Sequence, residues 1–153
     1  MHLIPVFLVL FATLFPVHSH AFKCSVTTTP VSFSNYDVFS TLPLDSTGNL
    51  TVSCNNPDQK PMLIDVSISS GNSGSFSPRQ MSHAGAGEPM NYYLFLDASK
   101  TTIWGDGTGG TATFTDTIVR NPSVNAVIYG RVPARQNLRA GAYSDTLLVT
   151  VTW

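Results

Sequence analysis

Short segments in which apolar and polar residues alternate recur along the chain. The clearest is segment 144–153 (S-D-T-L-L-V-T-V-T-W), which a period of two predicts to be a half-buried β-strand. Because chain ends are usually polar and frayed, we expect the rest of the fold or another protein to cover this apolar end. The face that we expect to be covered comprises Leu147, Val149, Val151 and Trp153.

Similar short strand patterns extend over most of the remaining sequence. Turn residues separate them, including the run 45–48 (D-S-T-G) and the Gly/Ser-rich run 70–77. No segment shows a helical period of useful length, so the pattern predicts an all-β fold, an antiparallel sandwich of seven or eight strands. The other predicted strands are 24–29 with a continuation at 31–33 beyond Pro30, 49–54, 63–69, 76–81, 91–96, 111–115 and 125–132.

Composition supports the same fold class and excludes one kind of partner. Charged residues make up only 11% of the 153 residues and the net charge is −1, so Ser and Thr supply most of the polar surface. Without a basic stripe there is no electrostatic footprint for nucleic acid, and we expect no nucleic-acid partner. The length suits a single domain with a substantial core.

The first 21 residues contain no Asp, Glu, Lys or Arg and are mostly apolar. The apolar run 3–15 and the small residues Ser19 and Ala21 fit a signal peptide and its cleavage site. A membrane anchor is the alternative, but Pro5, Pro16 and His18 interrupt the roughly 20 apolar residues that it needs. We therefore expect 1–21 to be a signal peptide, 22–153 to be one β-sandwich domain, and the product to be exported to the cell surface or secreted.

The sequence has two cysteines, Cys24 and Cys54. In an exported chain such a pair predicts a disulfide, since that compartment is oxidising. Metal binding is the alternative, but the spacing matches no zinc-site pattern. If Cys24 begins one strand and Cys54 ends another, the disulfide ties two strands together early in the fold.

Residues 22–153 offer little for catalysis. A Ser/His/Asp triad would have to use His83, which lies in a Gly/Ala-rich region without a nucleophile-elbow motif. Asp97, Asp106 and Asp116 do not have the spacing of a calcium loop, and the glycine-rich run 105–110 lacks the lysine of a phosphate loop. We therefore expect that the protein is not an enzyme and that it binds no metal and no cofactor.

Six stretches, in order along residues 24–153, resemble the spore coat protein U domain family, whose members include archaic chaperone–usher pilus subunits. The most specific are W-G-D-G-T-G-G-T at 104–111 and G-A-Y-S-D-T-L-L-V-T-V-T-W at 141–153. The others are Cys24 with L-T-V-S-C at 50–54, P-R-Q-M at 78–81, N-Y-Y-L-F-L-D at 91–97 and I-Y-G-R-V-P at 128–133.

The resemblance implies an immunoglobulin-like sandwich that lacks its last strand. In such subunits a periplasmic chaperone lends a strand to the open groove, and an outer-membrane usher replaces that strand with the N-terminal extension of the next subunit, a form of β-augmentation. The resemblance therefore implies three kinds of partner: the chaperone, the usher and other pilus subunits. It also implies that Leu147, Val149, Val151 and Trp153 line the groove.

The sequence departs from family members that donate a strand. With cleavage after Ala21, only Phe22 and Lys23 precede Cys24, which is too short for a donor strand of about ten residues. This predicts a subunit that accepts a strand without giving one, at the distal end of a fibre. Loops carry binding on such scaffolds, and as candidate surface-binding positions we select His83, Trp104 and Asp106.

Two other functions stay open at this point. A stand-alone secreted coat or carbohydrate-binding domain would refold alone as a stable monomer. A small secreted hydrolase would lose turnover when His83 is replaced by Ala.

Overall fold

The structure is a computed structural model that describes residues 22–56, 60–120 and 123–153. The predicted signal peptide, residues 1–21, lies outside this part of the chain. The described residues form an antiparallel β-sandwich with one short 3-10 helix, which confirms the predicted fold class. None of the described helices has the length and apolar character required to span a membrane.

The described residues contain nine strands, in the order expected from the alternating segments. They are β1 (Lys23–Thr29), β2 (Leu44–Asn55), β3 (Met62–Ile68), β4 (Arg79–His83), β5 (Met90–Phe95), β6 (Phe114–Ile118), β7 (Ser123–Val132), β8 (Tyr143–Ser144) and β9 (Val149–Thr152), with the 3-10 turn at Gly71–Ser73.

The strands form two sheets of unequal size. The larger sheet has the order β1-β2-β7-β5-β4-β8, and the smaller has the order β6-β3-β9. Every second residue of the central strands points between the sheets, as the period of two predicts. The fully buried side chains there include Leu50, Val52, Ile64, Val66 and Val132.

Strand β2 is longer than the sequence predicts, because residues 45–48 are part of it and not a turn. Gly48 lies on the inner face, and a Cβ there would lie 2.9 Å from Val31 Cγ2. Gly130 of β7 is similar, since its Cβ would lie 2.6 Å from Val31 Cγ1 and 2.8 Å from the Phe33 ring. Because both glycines lack a side chain, the segment after Pro30 packs directly on the backbone of β2 and β7. Gly48 therefore permits this close packing and does not form a turn.

Other predicted elements are shifted along the chain. The strand predicted at 76–81 is Arg79–His83, and the one at 111–115 is Phe114–Ile118. The predicted continuation at 31–33 is not a strand, since the chain leaves β1 at Pro30. The predicted terminal strand is divided into β8 and β9, which belong to different sheets.

The predicted disulfide between Cys24 and Cys54 is confirmed. The two residues lie directly opposite each other in the β1–β2 pair. Closing this loop reduces the entropy of the unfolded chain by an amount worth about 3.7 kcal/mol in the chain-entropy model. The bond therefore attaches edge strand β1 firmly to the centre of the larger sheet.

Candidate functional site: an open groove between the sheets

The two sheets do not meet along one side of the sandwich. Strand β9 is at the edge of the smaller sheet, and no described strand pairs with its outer side. Strand β1 is at an edge of the larger sheet, and we call the gap between β1 and β9 the seam. A groove of about 990 Å³ opens there, with walls drawn from residues 28–39 and 138–149.

The groove is mainly apolar at its floor and along the wall that leads into β9. Leu147 and Val149 line it, and Val151 is half-buried on the same face, whereas Leu148, Thr150 and Thr152 point outward. This is the inward row that the sequence predicts. The floor is formed by core residues of both sheets, namely Ile68, Met81, Met90, Tyr92, Leu94 and Ile128.

Trp153, the fourth residue of the predicted row, has a different environment. Its side chain is 57% exposed, and its ring packs on that of Phe22 with centroids 5.6 Å apart. Phe22 directly precedes β1, so this ring pair joins the two sheets at one end of the seam.

The opposite wall is the segment 31–36, which follows Pro30 and crosses the inner face of the larger sheet. The Phe33 ring meets Tyr92 edge-on at 6.5 Å. The segment is tied down by Ser46 Oγ, which donates to Ser32 O at 2.6 Å, and by Tyr36 Oη, which donates to Pro133 O at 2.7 Å. This wall is therefore attached to the larger sheet by side-chain contacts and not by a strand ladder.

A buried arginine holds one side of the site together. Arg79 is 0% exposed; its Nε donates to Ser69 O at 3.0 Å, and its Nη2 donates to Ile68 O at 3.3 Å and Trp104 O at 2.7 Å. One side chain from the larger sheet thus satisfies three carbonyls at the end of β3 and in the loop beside it. Sequence reasoning missed this role, although P-R-Q-M at 78–81 was among the stretches that resemble the family.

The charge of Arg79 has no carboxylate in direct contact. Its guanidinium lies 5.1 Å from the Phe76 ring centroid, and desolvation lowers its pKa. The negative charges of Asp145 and Asp106 act on it through space, and Asp145 Oδ2 accepts a 2.6 Å hydrogen bond from Tyr92 Oη. Burial, together with this bond, raises the pKa of Tyr92, so its hydroxyl stays protonated and donates.

Asp145 also explains why the terminal strand is interrupted. Its Oδ1 accepts hydrogen bonds from the main-chain N–H groups of Asn72 and Thr146. A Cβ on Gly71 would lie 2.2 Å from Asp145 Oδ2, so the 3-10 turn closes tightly over the carboxylate. These bonds hold the chain at the point where it passes from β8 in one sheet to β9 in the other.

The structure corrects the prediction that Trp104 lies on a binding surface. Trp104 is 0% exposed, and its indole Nε1 donates to Val66 O at 2.9 Å. Its ring also packs against Phe114 at 5.9 Å. Trp104 is therefore a core residue: its main-chain N–H donates to Leu94 O at 2.9 Å and it forms a bridge with Ala112, while the exposed glycine-rich residues come after it.

His83 is half-buried, and Asp106 is exposed. His83 ends β4 instead of lying in a free loop; its ring packs on Tyr143 at 4.9 Å, and its Nδ1 accepts from Gly85 N–H at 2.9 Å. Asp106 is exposed and accepts from Thr108 N–H and Oγ1, and these bonds lower its pKa. A binding role for either residue stays a prediction.

The described residues contain no group of three His, Cys, Asp or Glu side chains that could hold a metal ion. Asp97, one of the aspartates considered for calcium, instead organises a turn by accepting from the N–H groups of Thr101 and Thr102. The feature of this structure that offers most for binding is the apolar groove beside an unpaired strand edge.

The chain belongs to the Spore Coat Protein U domain family, whose sequence model matches residues 11–150. It is 28% identical over 130 residues to Protein U of Myxococcus xanthus, and the match covers 80% of this chain and 71% of that protein. The predicted family is therefore confirmed.

One solved structure supports the fold. One similar chain comes from the pre-assembly complex of the chaperone CsuC with the tip adhesion subunit CsuE, from archaic chaperone–usher Csu pili of Acinetobacter baumannii. The TM-score is 0.59 at 18% identity, and the match covers 87% of this chain but only 40% of the length of that one. The minor tip subunit HdaB of the E. coli Hda pilus matches at 15% identity, covering 83% of this chain and 79% of that one. Its TM-score of 0.41 is too low to support an argument.

Proposed function

We propose that this protein is a subunit of a chaperone–usher surface fibre and that its groove accepts a β-strand from another protein. The observation that carries the proposal is the unpaired edge of β9 beside an apolar groove of about 990 Å³. A free strand edge flanked by wet apolar side chains is an aggregation hazard unless another strand pairs with it. β-Augmentation satisfies the edge and fills the groove in one step.

The expected free energy of strand binding is a substantial fraction of the stability of one domain. A lent strand that fills four or five pockets with Val- or Leu-sized groups contributes roughly 1.5–3 kcal/mol for each, on the order of 10 kcal/mol before ordering costs. Fixing the backbone of about seven residues opposes this gain at about 1–2 kcal/mol per residue, and the main-chain hydrogen bonds to β9 restore about 0.5–1.5 kcal/mol each. A net gain of a few kcal/mol is a large fraction of the stability of one domain.

The partners follow from this function. During export, a periplasmic chaperone would lend the first strand, and at an outer-membrane usher a neighbouring subunit would replace it. Two facts support this assignment. The chain belongs to the spore coat protein U domain family, and a chain from a chaperone–tip subunit complex shares its fold. The destination is then the cell surface.

We further propose a place at the fibre tip, with an adhesive role. With cleavage after Ala21, the exported protein begins at Phe22 and has no segment long enough to complement a neighbour. N-terminal sequencing of the exported protein is expected to read F-K-C. A start well before Val17 would leave an extension and would contradict the tip position without affecting strand acceptance.

A tethered strand tests the proposed function directly. The exported protein is extended after Trp153 by a flexible Gly/Ser linker of about six residues and a seven-residue strand of alternating Val and Thr. We expect the melting temperature to rise by about 10 °C, since a few kcal/mol shifts a domain of this size by roughly that amount. In the matched control, Asp replaces each Val of the added strand, and no gain is expected.

The same experiment separates the alternative of a stand-alone secreted coat or carbohydrate-binding domain. That alternative predicts an unextended protein that melts cooperatively at high temperature as a monomer, and an extension that adds nothing. This pair of results would contradict strand acceptance.

A further inference from the structure

The ring pair of Phe22 and Trp153 lies at the end of the seam, beyond the groove-lining residues Thr28 and Val149. Trp153 follows β9 on the same side as Val149 and Val151, so its ring points toward the gap. Phe22 precedes β1 on the same side as Cys24, which is bonded to the buried Cys54. The rings meet with centroids 5.6 Å apart and an interplanar angle of 50°.

Just beyond the ring pair the seam is open again. Val26 is the next residue of β1 on the same side as Phe22 and Cys24, and it is 39% exposed. From Thr28 and Val149 onward, the two borders line the groove. At its far end the groove reaches Phe39 and residues 138–142, and Phe39 is 88% exposed there. One end is therefore closed by two rings, and the other end is open to solvent.

We propose that Phe22 and Trp153 form an end stop that sets the length and register of the strand that the groove accepts. This inference rests on the proposed function. A strand laid along β9 needs the space between the sheets for every second side chain, and at Trp153 the Phe22 ring occupies that space. The inward side chains of the lent strand must therefore stop opposite Val151, and at that point its chain must turn out of the seam.

The geometry gives a length. A strand that faces residues 145–151 has about seven residues and spans about 20 Å at 3.3 Å per residue. Removing the Phe22 ring frees one more inward position, against the indole of Trp153. Because inward side chains recur at every second residue, the longest useful strand grows by two residues.

The test uses capped synthetic peptides of five, seven, nine and eleven residues, with Val at alternate positions and Thr or Lys between them. Each is added in excess to the exported protein, and the melting temperature is recorded. For the wild type we expect the melting temperature to increase with peptide length up to about seven residues and then to stay constant. For Phe22→Ala we expect a further rise of about 3 °C at nine residues.

Two more variants make the result specific. Trp153→Ala removes the stop from the other side, and we expect it also to shift the levelling-off point to nine residues, with a smaller rise because the indole is gone. Leu63→Ala is the control, since Leu63 is an apolar residue that is 61% exposed and does not line the groove, and we expect a wild-type curve.

The outcomes are distinguishable. Peptides that stabilise the wild type, with curves for Phe22→Ala and Trp153→Ala that level off at the wild-type length, would overturn the end stop and leave strand acceptance intact. A wild type that no peptide of any length stabilises would contradict strand acceptance itself, and the end stop with it.

Discussion

Replacing Val149 by Asp is expected to prevent recovery of folded protein. Val149 is the first residue of β9, is half-buried, and lines the groove while packing against the core. Because Val149 is half-buried, the substitution removes roughly 1–1.5 kcal/mol of apolar burial. Once a lent strand covers the groove during export, the carboxylate is enclosed between apolar surfaces, which costs several kcal/mol more. The sum reaches the lower part of the range of domain stabilities, about 5–15 kcal/mol.

Thr150→Asp is the matched control for this prediction. Thr150 is the next residue of the same strand, but its side chain points outward and is exposed. A surface substitution of this kind usually changes stability by no more than about 0.5 kcal/mol. Yield after export and the midpoint of urea unfolding measure both variants. Equal behaviour of the two would show that the inward face of β9 is not needed for the fold.

The second large effect is expected at Arg79. Arg79→Met keeps a long side chain in the same space but removes the donors to Ile68 O, Ser69 O and Trp104 O. Each buried carbonyl left without a partner costs about 1–3 kcal/mol. The substitution also removes a desolvated charge, which offsets part of this loss. We expect the free energy of unfolding to fall by about 3–5 kcal/mol, as measured by denaturant titration.

Arg139→Met tests whether this effect is specific to the buried position. Arg139 is an exposed arginine whose Nη1 donates to Ala86 O at 2.7 Å. Since water can replace this bond, we expect a loss below about 1 kcal/mol. Should Arg79→Met prove as stable as the wild type, the cost of burying the guanidinium would equal the value of its three hydrogen bonds, and Arg79 would not hold the two sheets together.

The alternating segments predicted most of the fold because their signal is local. A strand such as Met62–Ile68 carries its inward and outward faces in its own sequence, and so do β2, β5 and β7. The inward row of Leu147, Val149 and Val151 could be predicted for the same reason. The disulfide followed from the number of cysteines and the expected compartment.

What the sequence did not show depends on contacts between distant segments. Gly48 suggests a turn when seen with Asp45 and Ser46, and only the approach of Val31 explains a glycine inside a strand. Trp104 precedes a glycine-rich loop, and its burial depends on Val66, which lies 38 positions earlier in the chain. Arg79 has no local signal either, because its three acceptors lie 10 to 25 positions away.

The two borders of the seam differ in stiffness. The Cys24–Cys54 bond clamps β1 covalently, and Ser46 and Tyr36 anchor the segment beside it. The opposite border is held without a covalent cross-link, by the four-residue ladder between β9 and β3 and by two hydrogen bonds between Ser69 and Leu148. Any widening that admits a guest strand is therefore expected to come from displacement of β9, while β1 and the segment after Pro30 keep their positions.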